Sequence, residues 1–439
     1  MKIHENKTKE QNLVLSKWKE NNYKGSWIAA TSCGKTRVGV IAAGEFIRRN
    51  NNETSLVIVP TENLRDNEWK NQFVTWGYVR ELEKVQIECI QTVYKWVGKH
   101  FNTVVIDESH WSIQGAKYSD FLKNNTYDRI LCLTATPPDD KIILQFMQSV
   151  APIIHTTNTQ RALELGLISP FIIYNIPVEF TSEEQKSYNQ INSNYSFYER
   201  QLGGQYVAFT NASKYLRFKN IGKSGENICV FTPENRVIYR SEINGINISS
   251  EYTRSLTDLE LSQFRDKIEY SSKFWRCMRE RKNLCYNAFN KISLVKQILD
   301  KFPERRSIVF SESVKTANEI AQAVGNECIV FHSKMSQNDR KTSLSEFSSG
   351  SKRIISAVKA LNEGMDVPEC SLGICHSGTG KLRPSIQRRG RSLRLVEGKI
   401  ALYINIYVKN TQEEKWVKSR DKDVKDNVHW IESINDLKI

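Results

Sequence analysis

Short apolar runs rich in β-branched residues punctuate the first 175 positions: Trp27–Ala30, Ser55–Pro60, Val85–Ile90, Thr103–Glu108 and Arg129–Thr136. Each is bounded by turn residues, and stretches of helical spacing such as Thr36–Arg49 and Glu62–Phe73 lie between them. Continuous apolar strands alternating with helices predict a parallel sheet covered on both faces. The plan recurs over residues 292–408, in Ser307–Phe310, Glu327–Phe331, Arg353–Val358, Cys370–His376 and Ala401–Val408. Two α/β domains in tandem are expected, the first over residues 1–175 and the second over 292–439.

The pattern changes between them. Residues 181–295 carry 17 aromatics among 115 positions, against 10% aromatics in the whole chain. Several alternate with basic residues, as in Tyr195–Gln201, Lys214–Asn220 and Lys273–Lys282. Such alternation suits backbone contacts and base stacking on single strands, and it also suits a small subdomain whose aromatics form its own core. Asn235–Tyr252 alternates like strands around an Asn244-Gly245 turn signal, and Ser255–Leu299 is helical in composition. Residues 176–291 are therefore expected to form a mixed helical and β insertion.

Composition narrows the class. The 439 residues suffice for two or three cores, and 39% hydrophobic with 26% charged residues fits a soluble globular chain. No apolar run approaches a membrane span and the N-terminus lacks a signal-peptide core, so a cytoplasmic protein is expected. Nine cysteines (33, 89, 132, 229, 277, 285, 328, 370, 375) include no CxxC pair, which argues against structural zinc and for reduced thiols. Lys and Arg total 63 against 49 acids, a formal +14 that favours a polyanionic partner such as nucleic acid.

Two stretches carry candidate chemistry. Ala29–Thr36 reads A-x-x-x-x-G-K-T between a strand and a helix, with Ala29 where glycine is commoner. Backbone amides of Thr31, Ser32, Cys33 and Gly34 at a helix N-terminus cradle phosphates, Lys35 reaches the β/γ-phosphates, and Thr36 ligates Mg²⁺. Asp107 and Glu108 end a later strand, at the sheet edge where ligands bind. Asp107 is expected on Mg²⁺ and Glu108 on the attacking water. The second stretch is Gln387–Arg394, with Arg388, Arg389, Arg391 and Arg394 on a segment read as helical. Arg391 and Arg394 share a helix face and suit a transferred phosphoryl group, although a nucleic-acid contact or a solvated basic face fits them too.

In order and spacing the motifs resemble those of superfamily 2 helicases and translocases, whose domains are RecA-like folds of the P-loop NTPase kind. Gln11 resembles the adenine-reading glutamine, and TSCGKT resembles motif I, with Ser32 departing from the commonest form. Val57–Trp69 and Ile87–Trp96 resemble motifs Ia and Ib. DESH resembles the DExH form of motif II, and Leu133–Pro138 motif III. Ser307–Ser313, Ile355–Glu369 and Gln387–Arg394 resemble motifs IV, V and VI.

The resemblance covers about 300 residues and leaves most of 181–290 unexplained. It implies ATP and Mg²⁺ as cofactors, Arg391 and Arg394 as arginine fingers and Gln387 as a γ-phosphate or water contact. Gly364 and Asp366 would lie near the ribose, and His110, Thr134 and Thr136 would couple hydrolysis to domain movement. Thr61, Thr92, Ser311, Ser356 and Lys359 would contact the nucleic-acid backbone.

Within the superfamily the motifs look closest to phage branch-migration helicases of the UvsW kind and to restriction or repair helicase domains. The expected activity is unwinding or branch migration of DNA forks and junctions by a monomeric motor in a bacterial or phage-infected cell, the insertion touching the junction. A double-strand translocase without strand separation and an RNA helicase are the alternatives.

Overall fold

A computed structural model describes every residue except 1, 111–115, 139, 218–226, 232–236, 244–245, 250–257, 359–369, 381–387, 391–399 and 439. The first six strands are β1 (Lys24–Ala29), β2 (Ser55–Val59), β3 (Val85–Cys89), β4 (His100–Ile106), β5 (Thr126–Thr134) and β6 (Ile153–Thr157). They form one parallel sheet in the order β3-β2-β4-β5-β1-β6. Consecutive side chains point to opposite faces of a strand, and both faces are sealed here. Val57, Val59, Val105, Leu131 and Leu133 pack with Val38 and Ala42 of the helix Lys35–Arg49. Leu56, Ile58, Val104, Ile106 and Ile130 pack on the other side with Phe121 and Met147. That is why the central strands β2 and β4 read as unbroken apolar runs.

The chain continues through β7 (Phe171–Val178), β8 (Asn227–Phe231), β9 (Val237–Ile243), β10 (Ile246–Ser249), β11 (Ser307–Ser311), β12 (Cys328–Phe331) and β13 (Ile354–Val358). It ends with β14 (Leu372–Cys375), β15 (Ala401–Val408) and β16 (Val428–Trp430). Seven of these make a second parallel sheet, ordered β12-β13-β11-β14-β15-β7-β16. The molecule thus has two RecA-like parallel sheets, and all ten apolar runs read from the sequence are strands.

The expected boundary at residue 175 falls inside β7. That strand pairs with β15 along its whole length, from Phe171 opposite Ala401 to Val178 opposite Val408. It belongs to the second sheet although it precedes the insertion in the chain.

The chain divides into two compact units, Met1–Val178 with Lys291–Ile439, and Glu179–Asn290. The inserted unit holds helices Ser182–Gln201, Ala208–Arg217 and Asp258–Tyr286, and an antiparallel sheet ordered β10-β9-β8. Its first helix starts in a capping box in which Thr181 and Glu184 satisfy each other's backbone amides. The Asn244-Gly245 turn lies outside the described residues, but β9 and β10 pair antiparallel on either side of it. Leu202, Ala208, Ala212 and Phe274 form a core with Tyr195, Tyr198, Tyr215, Tyr270, Trp275 and Met278 around them. Tyr195 stacks on Phe274 at 5.0 Å, and Arg281 lies 4.2 Å from the Tyr195 ring centroid. Much of the basic–aromatic alternation is therefore internal packing.

Candidate active site

Three neighbouring strands, β4, β5 and β1, bring the first half of the site together at the carboxyl edge of the first sheet. The loop after β1 turns through the left-handed region at Ser32 (φ 71°) and Gly34 (φ 81°). At Gly34 the chain needs glycine twice over, because a Cβ there would sit 2.2 Å from Gln11 Nε2. Gly34 gives the helix Lys35–Arg49 no side-chain cap, so the first amides of that helix remain available to a phosphate. Lys35 Nζ folds back to donate to Ala29 O at 3.1 Å. Cys33 is fully enclosed, and burial pushes its thiol up to about 11.

Gln11 lies against the phosphate loop and the helix that follows it. Its Nε2 donates to Cys33 O (3.2 Å) and Gly34 O (3.1 Å), and its Oε1 accepts from Arg37 Nη1 at 2.6 Å. Both ends of the buried amide brace the phosphate loop. Arg37 also lies 5.0 Å from the Trp76 ring centroid. The sequence reading passed over Arg37, although it directly follows Lys35 and Thr36.

Asp107 continues the backbone ladder of β4, its amide donating to Ile58 O at 2.9 Å. Its carboxylate accepts from Trp69 Nε1 at 3.0 Å and from the Glu108 amide at 2.9 Å. Burial, reinforced by the Glu108 charge, pushes Asp107 up to about 6, against the pull of Trp69 and Lys35. Trp69 was not singled out in sequence, where it is only the last residue of the stretch resembling motif Ia. Glu108 itself has φ 44°, a left-handed conformation that costs a non-glycine residue energy and clusters at functional sites.

A polar chain links this acid to the neighbouring strand. Glu108 Oε2 is buried without a hydrogen bond and faces His110 Nδ1 at 3.4 Å. The same nitrogen lies 2.9 Å from Thr134 Oγ1, which donates to Thr136 O at 3.0 Å. The three residues expected to couple hydrolysis to movement are thus one connected set. Mg²⁺ prefers hard oxygen donors and keeps much of its shell as water and phosphate. The Thr36 hydroxyl and the Asp107 carboxylate fit that need. Among the described residues no group of three or more His, Cys, Asp or Glu is arranged to hold a metal.

The second half of the site is seen only in part. Gln387, Arg391, Arg394, Gly364, Asp366 and Lys359 lie outside the described residues. Arg388, Arg389 and Gly390 are helical and buried. Arg388 reaches Glu312 Oε1 at 2.6 Å and Ser377 O at 3.0 Å, and Arg389 lies 3.6 Å from Asp421 Oδ1. Gly390 meets the phosphate loop: Ser32 Oγ donates to its carbonyl at 3.4 Å, and a Cβ on it would lie 1.8 Å from Thr31 Oγ1. Only glycine fits against that threonine.

Two of the residues expected on nucleic acid are enclosed in this structure. Ser356 is fully buried in β13, between β12 and β11, and Ser311 is fully buried with its hydroxyl near Ser313 O and Ala357 O. Neither presents a hydroxyl to a ligand at the surface. Thr92 is exposed, and Thr61 is half-buried, with its hydroxyl enclosed and without a hydrogen-bond partner.

Residues 2–139 match the family described as "Type III restriction enzyme, res subunit", and residues 290–396 match "Helicase conserved C-terminal domain". The DNA 3'-5' translocase XPB2 of Sulfurisphaera tokodaii is 23% identical over 410 residues, 90% of this chain and 80% of that protein. These matches support a superfamily 2 helicase. The chain is accordingly an ATP-dependent enzyme of the nucleic-acid helicase class.

The DNA 3'-5' helicase XPB of Mycobacterium tuberculosis is 26% identical over 145 residues, 33% of this chain but only 26% of its own length. Among solved structures the Pyrococcus furiosus Hef helicase domain superposes with TM-score 0.50 at 15% identity, covering 94% of this chain and 98% of its own. S. cerevisiae Dbp5 bound to RNA and ADP BeF3 gives 0.57 at 12%, covering 97% and 90%. These two establish a shared fold. Among the described residues no helix is long and apolar enough to cross a membrane.

Proposed function

We propose that this helicase is a DNA motor that spends ATP to travel along DNA and to unwind or branch-migrate forks and junctions in replication, recombination or repair. The observation that carries the reading is the seat of Gly390 against Thr31 and Ser32. It sets Gly390, directly after Arg388 and Arg389, against the phosphate loop, which supports a reading in which nucleotide state and sheet arrangement bias each other.

In this reading Lys35 and the loop amides bind the phosphates, and Glu108 orients the attacking water and takes its proton. Arg391 and Arg394, with Gln387, offset charge on the transferred group. Mg²⁺ held by Thr36 and Asp107 would supply charge neutralisation at the phosphates. Gln11 would act on nucleotide affinity through the loop it braces. His110, Thr134 and Thr136 would carry the change at Glu108 to the neighbouring strand.

DNA is favoured over RNA by the relative named as a DNA translocase, which matches along most of both chains. The inserted unit would select the junction. Its aromatics are not all spent on packing: Tyr206 is 94% exposed, and an exposed ring suits base stacking. The same relative, and the restriction-subunit match over residues 2–139, favour one second reading, a double-strand translocase that never parts the strands.

Strand displacement on a forked DNA, run beside triplex displacement on duplex, separates the two. Displacement of the forked strand supports the helicase reading, whereas triplex displacement alone supports the translocase. ATP turnover stimulated by RNA and not by DNA would sink both.

A further inference from the structure

After β2 the chain makes a π turn over Leu64–Glu68 and passes straight into the helix Trp69–Thr75. A π turn carries an extra residue and recurs at functional sites. None of Leu64–Glu68 is buried here, whereas Trp69 and Phe73 are fully enclosed. The Trp69 ring is wedged between two parts of the nucleotide site. Its benzene edge lies on Gly39, where a Cβ would stand 2.5 Å from Trp69 Cη2. Gly39 is one turn beyond Thr36 on the helix Lys35–Arg49. The opposite edge carries the indole N–H, and Nε1 donates to Asp107 Oδ2 at 3.0 Å. One rigid side chain therefore spans from the helix of Thr36 to the carboxylate of Asp107, the two residues that fit Mg²⁺.

Asp107 is itself buried, and the Glu108 amide donates to its other oxygen, Oδ1, at 2.9 Å. Each oxygen of an ionised carboxylate can accept twice, so the two donors orient the group and leave a lone pair on each oxygen. Groups that orient a metal-binding side chain commonly change metal affinity about tenfold to a hundredfold. We propose that Trp69 is a positioning residue for Mg²⁺. Its N–H aims the Asp107 carboxylate, and its rings keep that carboxylate at a fixed separation from the helix of Thr36. The indole acts through Asp107 and not on the nucleotide. The inference rests on Asp107 being the residue that holds Mg²⁺.

The test uses the full chain as wild type, Trp69→Phe, Asp107→Asn and a form in which benzothienylalanine replaces Trp69. That analogue keeps both rings and exchanges the N–H for sulfur, so the packing on Gly39 survives and the donor is lost. Affinity for a fluorescent ATP analogue is measured without Mg²⁺ and across a Mg²⁺ titration, which is read by ATP turnover as well, beside thermal melting. The benzothienyl form is expected to melt like wild type and to bind the analogue within about twofold of wild type without Mg²⁺, yet to need about tenfold more Mg²⁺. Trp69→Phe shifts the Mg²⁺ midpoint the same way and also melts earlier, because phenylalanine leaves part of the ring space empty. In the Asp107→Asn background the benzothienyl residue shifts the midpoint no further, which a merely structural role would not produce.

A wild-type Mg²⁺ midpoint in the benzothienyl form, beside a raised one in Asp107→Asn, overturns the role of Trp69 and leaves the Asp107 assignment standing. An equal shift from the benzothienyl residue with and without Asp107 overturns it as well. So does an equal weakening of analogue binding in the presence and absence of Mg²⁺. A wild-type midpoint in Asp107→Asn overturns the Asp107 assignment and the inference together. Should Trp69→Phe fail to fold, the benzothienyl form decides alone.

Discussion

The carboxyl edges of the two sheets are built from different materials. At the first edge the investment is in the backbone: Ser32, Gly34 and Glu108 all sit at positive φ, at 71°, 81° and 44°. Strain of that kind costs roughly 1–3 kcal/mol per non-glycine residue and persists where function demands a particular reach. At the second edge the investment is electrostatic. Lys291 and Glu413 are almost wholly buried with Nζ 2.7 Å from Oε2, and Arg388 with Glu312 is sealed nearly as well. The first edge is shaped to present groups to a ligand, and the second to hold its own groups still. On the proposed function this is the division between a binding half and a positioning half.

Removing the presented acid gives the largest expected effect. Glu108→Gln keeps the shape of the loop and removes the proposed base, so DNA-stimulated kcat is expected to fall about 10²- to 10⁴-fold with ATP binding retained. Unchanged turnover would take the catalytic role away from the first edge and erase the contrast.

At the second edge, Lys291→Met leaves Glu413 buried without its cation. Urea unfolding is expected to show a loss of about 3–5 kcal/mol, and the Lys291→Met/Glu413→Leu double variant should recover most of it. Equal losses in the single and double variants would mean that the pair is not the packed ion pair described.

A smaller effect probes a carboxylate that the first half keeps buried, Glu10, directly before Gln11. Burial pushes Glu10 up, but hydrogen bonds from Arg161, His155 and Thr157 outweigh it and bring the group from 4.5 down to about 2. A depressed value in the folded state contributes stability that is complete above the unfolded value and is lost as pH falls through the folded one. Glu10→Gln should therefore cost about 2 kcal/mol at neutral pH, with the gap to wild type closing between pH 4.5 and about 2. A gap that stays constant across that window would remove the charge from the account.

Legibility in the sequence follows the range of the interaction. Lys35, Asp107 and Glu108 were readable because a strand end, a turn and a helix start are local events, and three adjacent parallel strands bring them together automatically. The central strands were readable because burial on both faces leaves little polar alternation, whereas β3 at the sheet edge alternates between buried Val85, Ile87 and Cys89 and the polar Gln86 and Glu88. The sheet that β7 joins was not, since Phe171–Val178 finds its partner β15 only after the insertion has intervened. Ser356 looked like a phosphate contact by motif, yet its side chain is buried inside the sheet, which residue identity does not reveal. The contacts of Gln11 were not legible, because Arg37 takes its oxygen and the loop carbonyls take its nitrogen across more than twenty residues. In the insertion, composition could not separate stacking on bases from stacking on neighbours, and Tyr195 against Phe274 illustrates the latter.

The central claim is that ATP is hydrolysed at a joint where the second half presses on the phosphate loop of the first. ATP turnover by Gly390→Ala tests it most directly, since the added methyl would lie 1.8 Å from Thr31 Oγ1 and must disturb the contact. The account predicts nucleotide binding close to wild type with DNA-stimulated kcat reduced at least about tenfold. Wild-type kcat with full DNA stimulation in Gly390→Ala would contradict it.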